Sequence, residues 1–225
     1  MIKLENYEVV GWEHAIRGMR NPMNSWERSD TKFDLGFIDG ELGPNDHTLM
    51  MNLAKGGPVH AKYRRFIDVY VDIAAPLYWW KEFDTYKVGT AANSCSTMHK
   101  IHEKEFTLDD FSCERLTDGS INLLKNIIEE LNKWKRLYNR YDTLSEDNRE
   151  FTNGPITCKK DIWWQMIQLL PSSYNQKRTV MLNYEVLANI YTWRKDHKLD
   201  EWREFCKWIE SLPYSELITG GKEDA

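Results

Sequence analysis

"RFIDVYVDIAAPLYWWKEFDTYKVGTAANSCSTMHK", residues 65–100, holds the clearest strand signal in the chain and then changes character abruptly. In "FIDVYVDI", Ile67, Val69, Val71 and Ile73 alternate with Asp68, Tyr70 and Asp72. That two-residue period belongs to a strand with one apolar and one polar face. Pro76 stands where the first turn of a helix tolerates it, and "PLYWWKEFDTY" reads as that helix. Residues 82–100 then pack hydroxyls, an amide, a thiol and an imidazole together with almost no aliphatic filler. A mid-chain stretch so poor in core-formers reads as the lining of a site.

The flanks supply the rest of the fold. Upstream, "IKLENYEVVGW" alternates as a strand and "WEHAIRGMR" reads as a short helix. Residues 21–46 are polar and rich in Gly, Pro and Asn, which predicts an ordered loop. Asp46 is placed to cap a helix over "HTLMMNLAKGG". Downstream, Ile121, Leu124, Ile127, Ile128, Leu131, Trp134, Leu137, Tyr138 and Tyr141 recur at three- and four-residue steps, so a long amphipathic helix covers about 119–142. Polar residues 143–154 read as a linker within one domain spanning 1–225. Three helices follow, over "PITCKKDIWWQMIQLL", "NYEVLANIYTWRKDH" and "DEWREFCKWIESL". The class is α+β, a small antiparallel or mixed sheet packed with helices and a largely helical C-terminal half.

Composition narrows the function. Thirty basic against 35 acidic residues give a net charge of −5, so no chain-wide positive field exists to hold a nucleic-acid backbone. No apolar run approaches the ~20 residues of a membrane helix. Four cysteines, widely spread and without a C-x-x-C pair, read as free thiols. The expected location is the cytoplasm.

Three chemistries compete for residues 82–103. Cys95, His99 and His102 have helical spacing for a metal, but no fourth ligand is evident, so no metal is assigned. Cys95 with His99 as base forms a candidate nucleophile pair without an orienting carboxylate. Thr85, Tyr86, Lys87, Thr90, Asn93, Ser94 and Ser96 supply hydroxyls, amides and one cation suited to phosphate and base edges. Arg17, Arg20, Arg64, Arg65 and Arg194 are available to join them. A polar loop that only solvates itself is the plain alternative.

The order of elements resembles the flavin-dependent thymidylate synthase (ThyX) family. A strand ending in Ala75-Pro76 leads through a helix to the place of the family's Arg-His-Arg motif, occupied here by Thr85, Tyr86 and Lys87. The family's Asn falls on Asn93 and its Ser on Ser96, with Ser94 in place of its Glu and Met98-His99 in place of its Arg-Tyr. Phe66, beside Arg64 and Arg65, stands where the family has a histidine. Leu170-Pro171, Asn183 and Arg194 keep the register of a later segment, although Asn183-x-Glu185 replaces Asn-x-Arg. The resemblance covers about 45–100 and 168–212.

The resemblance implies FAD-mediated one-carbon transfer from methylenetetrahydrofolate to dUMP or a related pyrimidine nucleotide, with NADPH as reductant, in a homotetramer. It implies Ser96 and Arg194 as catalytic. Thr85, Tyr86, Lys87, Asn93 and Asn183 would hold the flavin. Glu82, Ser94, Ser96 and Arg194 would hold the nucleotide. Alternation along an extended loop places Cys95 inward between Asn93 and Ser96, and Trp79 and Trp80 are expected to be exposed aromatics that serve oligomerisation. The alternative is a catalytically inactive ThyX-like protein that only binds a nucleotide or a partner.

Overall fold

The computed structural model describes residues 1–143 and 158–220. The linker read at 143–154 therefore lies outside the described residues, apart from Thr143. In chain order the elements are β1 (Lys3–Val10), α1 (Trp12–Arg20), β2 (Phe33–Asp34), β3 (Phe37–Ile38), α2 (Pro44–Lys55), β4 (Asp68–Pro76), α3 (Leu77–Phe83), β5 (Thr90–Ser94) and α4 (Thr97–Lys100). They continue as α5 (Asp118–Arg140), α6 (Lys159–Leu169), β6 (Asn175–Asn183), α7 (Tyr184–Arg194), α8 (Asp200–Glu210) and α9 (Glu216–Thr219). The α+β class and the helical C-terminal half are as the sequence predicts. Four strands form one sheet in the order β1-β4-β6-β5, and β2 pairs antiparallel with β3.

The chain divides into two compact units, one of 2–73, 82–93 and 178–225 and one of 1, 74–81 and 94–177. In the first, β4 behaves as its alternation demands. Ile67, Val69, Val71 and Ile73 are fully buried. On its other face Asp72 accepts from Thr179 Oγ1 at 2.6 Å and from Asn6 Nδ2 at 3.1 Å, so its two neighbours are tied to it by side chains as well as by backbone. Val180 and Leu182 of β6 join this core. No strand signal is legible there because Gln176, Lys177, Arg178 and Thr179 break the apolar alternation before Val180 restores it.

The second unit is built on α5. Thr117 caps the helix by accepting from the Ser120 N–H, and Leu124, Ile128 and Leu131 turn its stripe into a core with Phe106, Phe111 and Met166 of α6. Asn132, buried on the same helix, donates to the Phe106 carbonyl and accepts from the Phe106 N–H, both at 2.8 Å, and so ends an irregular segment without unsatisfied backbone.

Two expectations need correction. Trp79 and Trp80 are not exposed: they are 0% and 1% accessible, meet edge-on with centroids 4.9 Å apart, and Trp80 Nε1 donates to the Gln176 carbonyl at 2.9 Å. An indole whose N–H finds an acceptor inside the protein gains more from burial than from solvent. Asp46 is not the cap of α2. The helix starts earlier, at Pro44 after Gly43, and the Asp46 side chain is turned inward to meet buried Arg20.

That contact organises the polar segment before α2. Arg20 Nε donates to Asp46 Oδ1 at 2.7 Å, and its remaining nitrogens reach the carbonyls of Ser25 and Arg28. Asp46 Oδ2 accepts from Ser29 Oγ, from the backbone N–H groups of Asp30 and Thr31, and from Thr31 Oγ1 at 2.7 Å. Residues 21–46 are thus an ordered segment, as expected, but one containing two 3-10 turns and the β2–β3 hairpin.

Burial pushes the Asp46 carboxyl up, but hydrogen bonds from Thr31, Arg20 and Ser29 outweigh it and hold the group below the usual carboxylate range. A carboxylate depressed in the folded state adds stability that is present above its ordinary value of 3.8 and is lost as pH falls through the folded value. Arg20→Ala, which leaves Asp46 buried without its cation, is expected to lower the unfolding free energy by about 3–5 kcal/mol in urea titrations at pH 7. The difference between the two proteins should shrink as pH falls below 3.8 and the carboxyl takes up its proton.

Candidate functional site

The site residues read from the sequence gather partly on a corner made by the end of α3, the loop 84–89, α7 and the start of α8. Asn183 closes β6 and caps α7, its Oδ1 accepting from the Val186 N–H at 3.1 Å. Three helical turns later Arg194 ends the helix. Its Nη1 donates to Glu82 Oε2 at 2.7 Å and its Nε to the Tyr86 hydroxyl at 2.9 Å. The same carboxylate oxygen accepts from Trp202 Nε1 at 2.9 Å, and the His197 ring nitrogen lies 3.5 Å away. The guanidinium also stands over the Trp202 ring, 4.7 Å from its centroid, where its cation is favoured by the ring face.

Glu82, Tyr86 and Arg194 are therefore brought into contact with one another. Arg194 does not end as a solvent-facing helix cap; its donors go to side chains of α3 and the following loop. Thr85, the first residue at the place of the family's charged motif, donates its hydroxyl to the Glu82 carbonyl at 2.7 Å and helps close α3. Lys87 is exposed.

Next to this knot lies a groove of about 570 Å³, within the range of small-molecule sites. Asn183, Glu185 and Asn189 line it from α7, Val88 and Gly89 from the loop, and Arg64 and Arg65 from the turn before β4. Gly89 is required there. Its φ is +75°, and an added Cβ would stand 3.0 Å from Asn183 Nδ2 and 3.2 Å from Val186 Cγ2. Trp193 and Val88 contribute large apolar surfaces to the lining and are 74% and 91% exposed.

Charge in the groove is unusual. Arg64 is buried, and its Nη1 lies 3.8 Å from Glu185 Oε2, beyond hydrogen-bond reach. Neither Arg64 Nε nor Glu185 Oε2 has a hydrogen-bond partner among the described residues. Burial drives the neighbouring Tyr63 hydroxyl up to about 12 against the lowering influence of Arg64, so it stays protonated and donates to the Met50 carbonyl. Burial likewise pushes the Cys206 thiol of α8 up to about 12, which keeps it from forming a nucleophilic thiolate near neutral pH. Sequence reasoning named Arg64 only as one of several spare cations and did not foresee Glu185 facing it, or Trp202 and His197 gathered at Glu82. The Arg64-Arg65 pair just before an apolar strand was the available signal.

The remaining expected residues are placed elsewhere. Asn93 and Ser94 are exposed on β5. Ser96, in the second unit with Ser94, caps short α4 by accepting from the His99 N–H at 3.1 Å, and lines a cavity of about 100 Å³ with Cys95, Lys100, Lys104 and Tyr174. Cys95 does not face inward. Its backbone N–H donates to Lys177 and its carbonyl accepts from Gln176, which fixes the main chain inward and leaves the side chain exposed. His102 packs its ring on Tyr138 at 4.7 Å, away from a thiol partner. Among the described residues no three His, Cys, Asp or Glu side chains converge as metal ligands.

With this geometry in view, the chain was compared with known proteins. No protein-family model and no curated protein matches its sequence. Solved structures do match. The Helicobacter pylori flavin-dependent thymidylate synthase ThyX complexed with FAD and dUMP aligns with TM-score 0.62 and 18% identity, over 97% of this chain and 97% of that one. A second structure of the Helicobacter pylori protein with FAD and dUMP gives 0.60 and 17%, over 97% and 96%. The UMP/dUMP methylase PolB from Streptomyces cacaoi, bound with 5-Br dUMP, gives 0.55 and 12%, over 94% and 89%. The fold is that of ThyX. At these identities the likeness is one of fold.

Arg194→Ala removes two charge-assisted hydrogen bonds and leaves Glu82 with the Trp202 indole and the His197 ring. Its expected cost is about 1.5–3 kcal/mol of stability, seen as a lowered melting temperature without any ligand present. An unchanged melting temperature would show that these bonds add nothing measurable to the stability of the corner.

Proposed function

We propose that this chain is a divergent ThyX-like enzyme that transfers a one-carbon unit from methylenetetrahydrofolate to dUMP or a related pyrimidine nucleotide, with FAD bound and NADPH as reductant. The observation that carries the reading is the groove at the start of α7. Its size suits a flat ring system, Val88 and Trp193 offer apolar faces, Asn183 and Asn189 offer amides, and Arg64 and Arg65 offer cations. Those residues fit the ring and phosphate chemistry of a flavin nucleotide and would hold it. The flavin, when bound, supplies the hydride chemistry. The protein's share is orientation: Asn183 keeps α7 in register, and the Glu82–Arg194 pair keeps the loop 84–89 against it. Thr85, Tyr86, Lys87 and Asn93 remain the proposed flavin-side loop, and Glu82 and Arg194 the proposed nucleotide side.

Coverage of nearly the whole of both chains in the ThyX comparison supports treating residues 1–225 as one ThyX-like domain. A homotetramer and a cytoplasmic location belong to the same proposal. With Trp79 and Trp80 buried, support for assembly comes from the exposed Phe66, Val59, Val88 and Trp193 instead.

A second reading, an inactive nucleotide-binding protein of the same fold, draws on one observation. Thr85 and Tyr86 spend their hydroxyls on partners within the chain, and Lys87 is the only cation of the three.

Purified protein separates the two. The enzyme reading expects a yellow preparation with flavin absorbance that bleaches with NADPH and recovers when dUMP and methylenetetrahydrofolate are added. Trp193→Ala is expected to weaken FAD binding by about 1 kcal/mol, roughly fivefold, through lost stacking. A colourless protein that takes up no FAD but binds dUMP in a calorimetric titration establishes the second reading. Binding of neither removes both.

A further inference from the structure

Arg64 and Glu185 form an unfinished ion pair. Both line the groove; the guanidinium is nine-tenths buried, and the closest approach of the two charges is 3.8 Å. Buried charges are ordinarily retained only when they are paired and hydrogen-bonded, because desolvation costs several kcal/mol per ion. Here the Coulomb attraction is present but no hydrogen bond joins the two charges: Arg64 Nε and Glu185 Oε2 are both buried without a partner, and the guanidinium turns a hydrogen bond to the Tyr63 side chain instead. A fully structural pair of this kind would close by less than an ångström to reach bonding distance. This one stands open.

The surroundings indicate what completes it. Arg64 and Arg65 against the single carboxylate of Glu185 leave the lining with a net positive charge. The first turn of α7, an eleven-residue helix, adds the positive end of its dipole at Asn183–Val186. Glu185 sits in that first turn, where it offsets part of the same field. The groove is therefore built for an anion but carries a carboxylate that competes for its buried cation.

We propose that Arg64 is the phosphate-contacting residue of this groove and that Glu185 holds the guanidinium back until a phosphate-bearing ligand displaces it. The exchange makes no covalent bond: one charge-assisted pair is traded for another of better geometry. Phosphate has the stronger claim because it presents several acceptor oxygens to the planar guanidinium fork. The inference rests on the proposed reading that the groove accepts a flavin or pyrimidine nucleotide. The shared chemistry is the phosphate group, which a flavin dinucleotide or a nucleoside monophosphate can supply.

Equilibrium titrations of FAD, riboflavin, dUMP and deoxyuridine into the full chain, its Arg64→Gln and Glu185→Gln variants and the double variant test it. Arg64→Gln should weaken whichever phosphate-bearing ligand uses the groove by ten- to a hundredfold, and leave the phosphate-free partner of that pair unchanged. Loss for FAD identifies the pyrophosphate as the source, and loss for dUMP the monophosphate. Glu185→Gln, which keeps Arg64 and removes only its competitor, should tighten the same ligand about five- to tenfold, and should have no effect once Arg64 is Gln. That dependence on Arg64 is what a merely structural pair would not produce. Arg64→Lys, with the charge kept, guards against loss of fold and should recover part of the affinity. If the unaltered chain binds neither FAD nor dUMP, the proposed function falls and this inference with it. If it binds them, and Glu185→Gln leaves or lowers the affinity, or Arg64→Gln weakens phosphate-bearing and phosphate-free ligands alike, the inference alone is overturned.

Discussion

The carboxylate of Glu82 is the point on which the corner of the first unit turns. One oxygen takes a guanidinium from the end of α7 at 2.7 Å and an indole N–H from the first turn of α8 at 2.9 Å. Glu82 itself belongs to the last turn of α3, so three helices are registered on one atom. Each charge-assisted bond contributes on the order of 1.5–3 kcal/mol. Around it the aromatic rings of Phe83, Tyr86, Trp202 and Phe205 pack with centroids about 6 Å apart, which limits water and strengthens the attraction. The loop that follows is held by Tyr86, and Val88 and Gly89 then have one place to go, beside Asn183. The groove exists because this knot is tied.

Much of the scaffold was legible because periodicity records burial. Ile67 to Ile73 announced a one-sided strand and became one; the stripe from Ile121 to Tyr138 announced α5 and supplied its core. The segments beginning at Asn183 and Asp200 likewise became α7 and α8. What periodicity does not record is who meets whom across the chain. Arg20 and Asp46 are 26 residues apart, Arg64 and Glu185 more than a hundred, and neither pair leaves a trace in local composition. Trp79 and Trp80 show the same limit from another side. A paired indole on a short amphipathic stretch looks like surface until the Gln176 carbonyl that accepts its N–H is known. β6 was missed because its polar half comes first.

Of the candidate site, the residues with long side chains were the more readable. Glu82, Tyr86 and Arg194 could be nominated separately from their register and were then brought into contact by the fold. The small residues were not so constrained: Asn93 and Ser94 are exposed, and Ser96 serves as a helix cap. A serine or asparagine has enough local uses, at caps and turns, that its presence in a polar run says little about ligands. The resemblance in element order carried further than any single motif, because a fold can be kept while side-chain contacts move.

Gly89 shows how such movement is restrained. Its left-handed backbone excludes side chains by about 1–2 kcal/mol, and the space beside it is already filled by Asn183 and Val186. These two penalties are separable. A smaller residue at 183 would make room for a methyl group at 89 but would do nothing for the backbone, and it would remove the cap of α7 at the same time. A substitution at either position therefore disturbs its neighbour, and the loop and the helix it touches hold each other to one conformation.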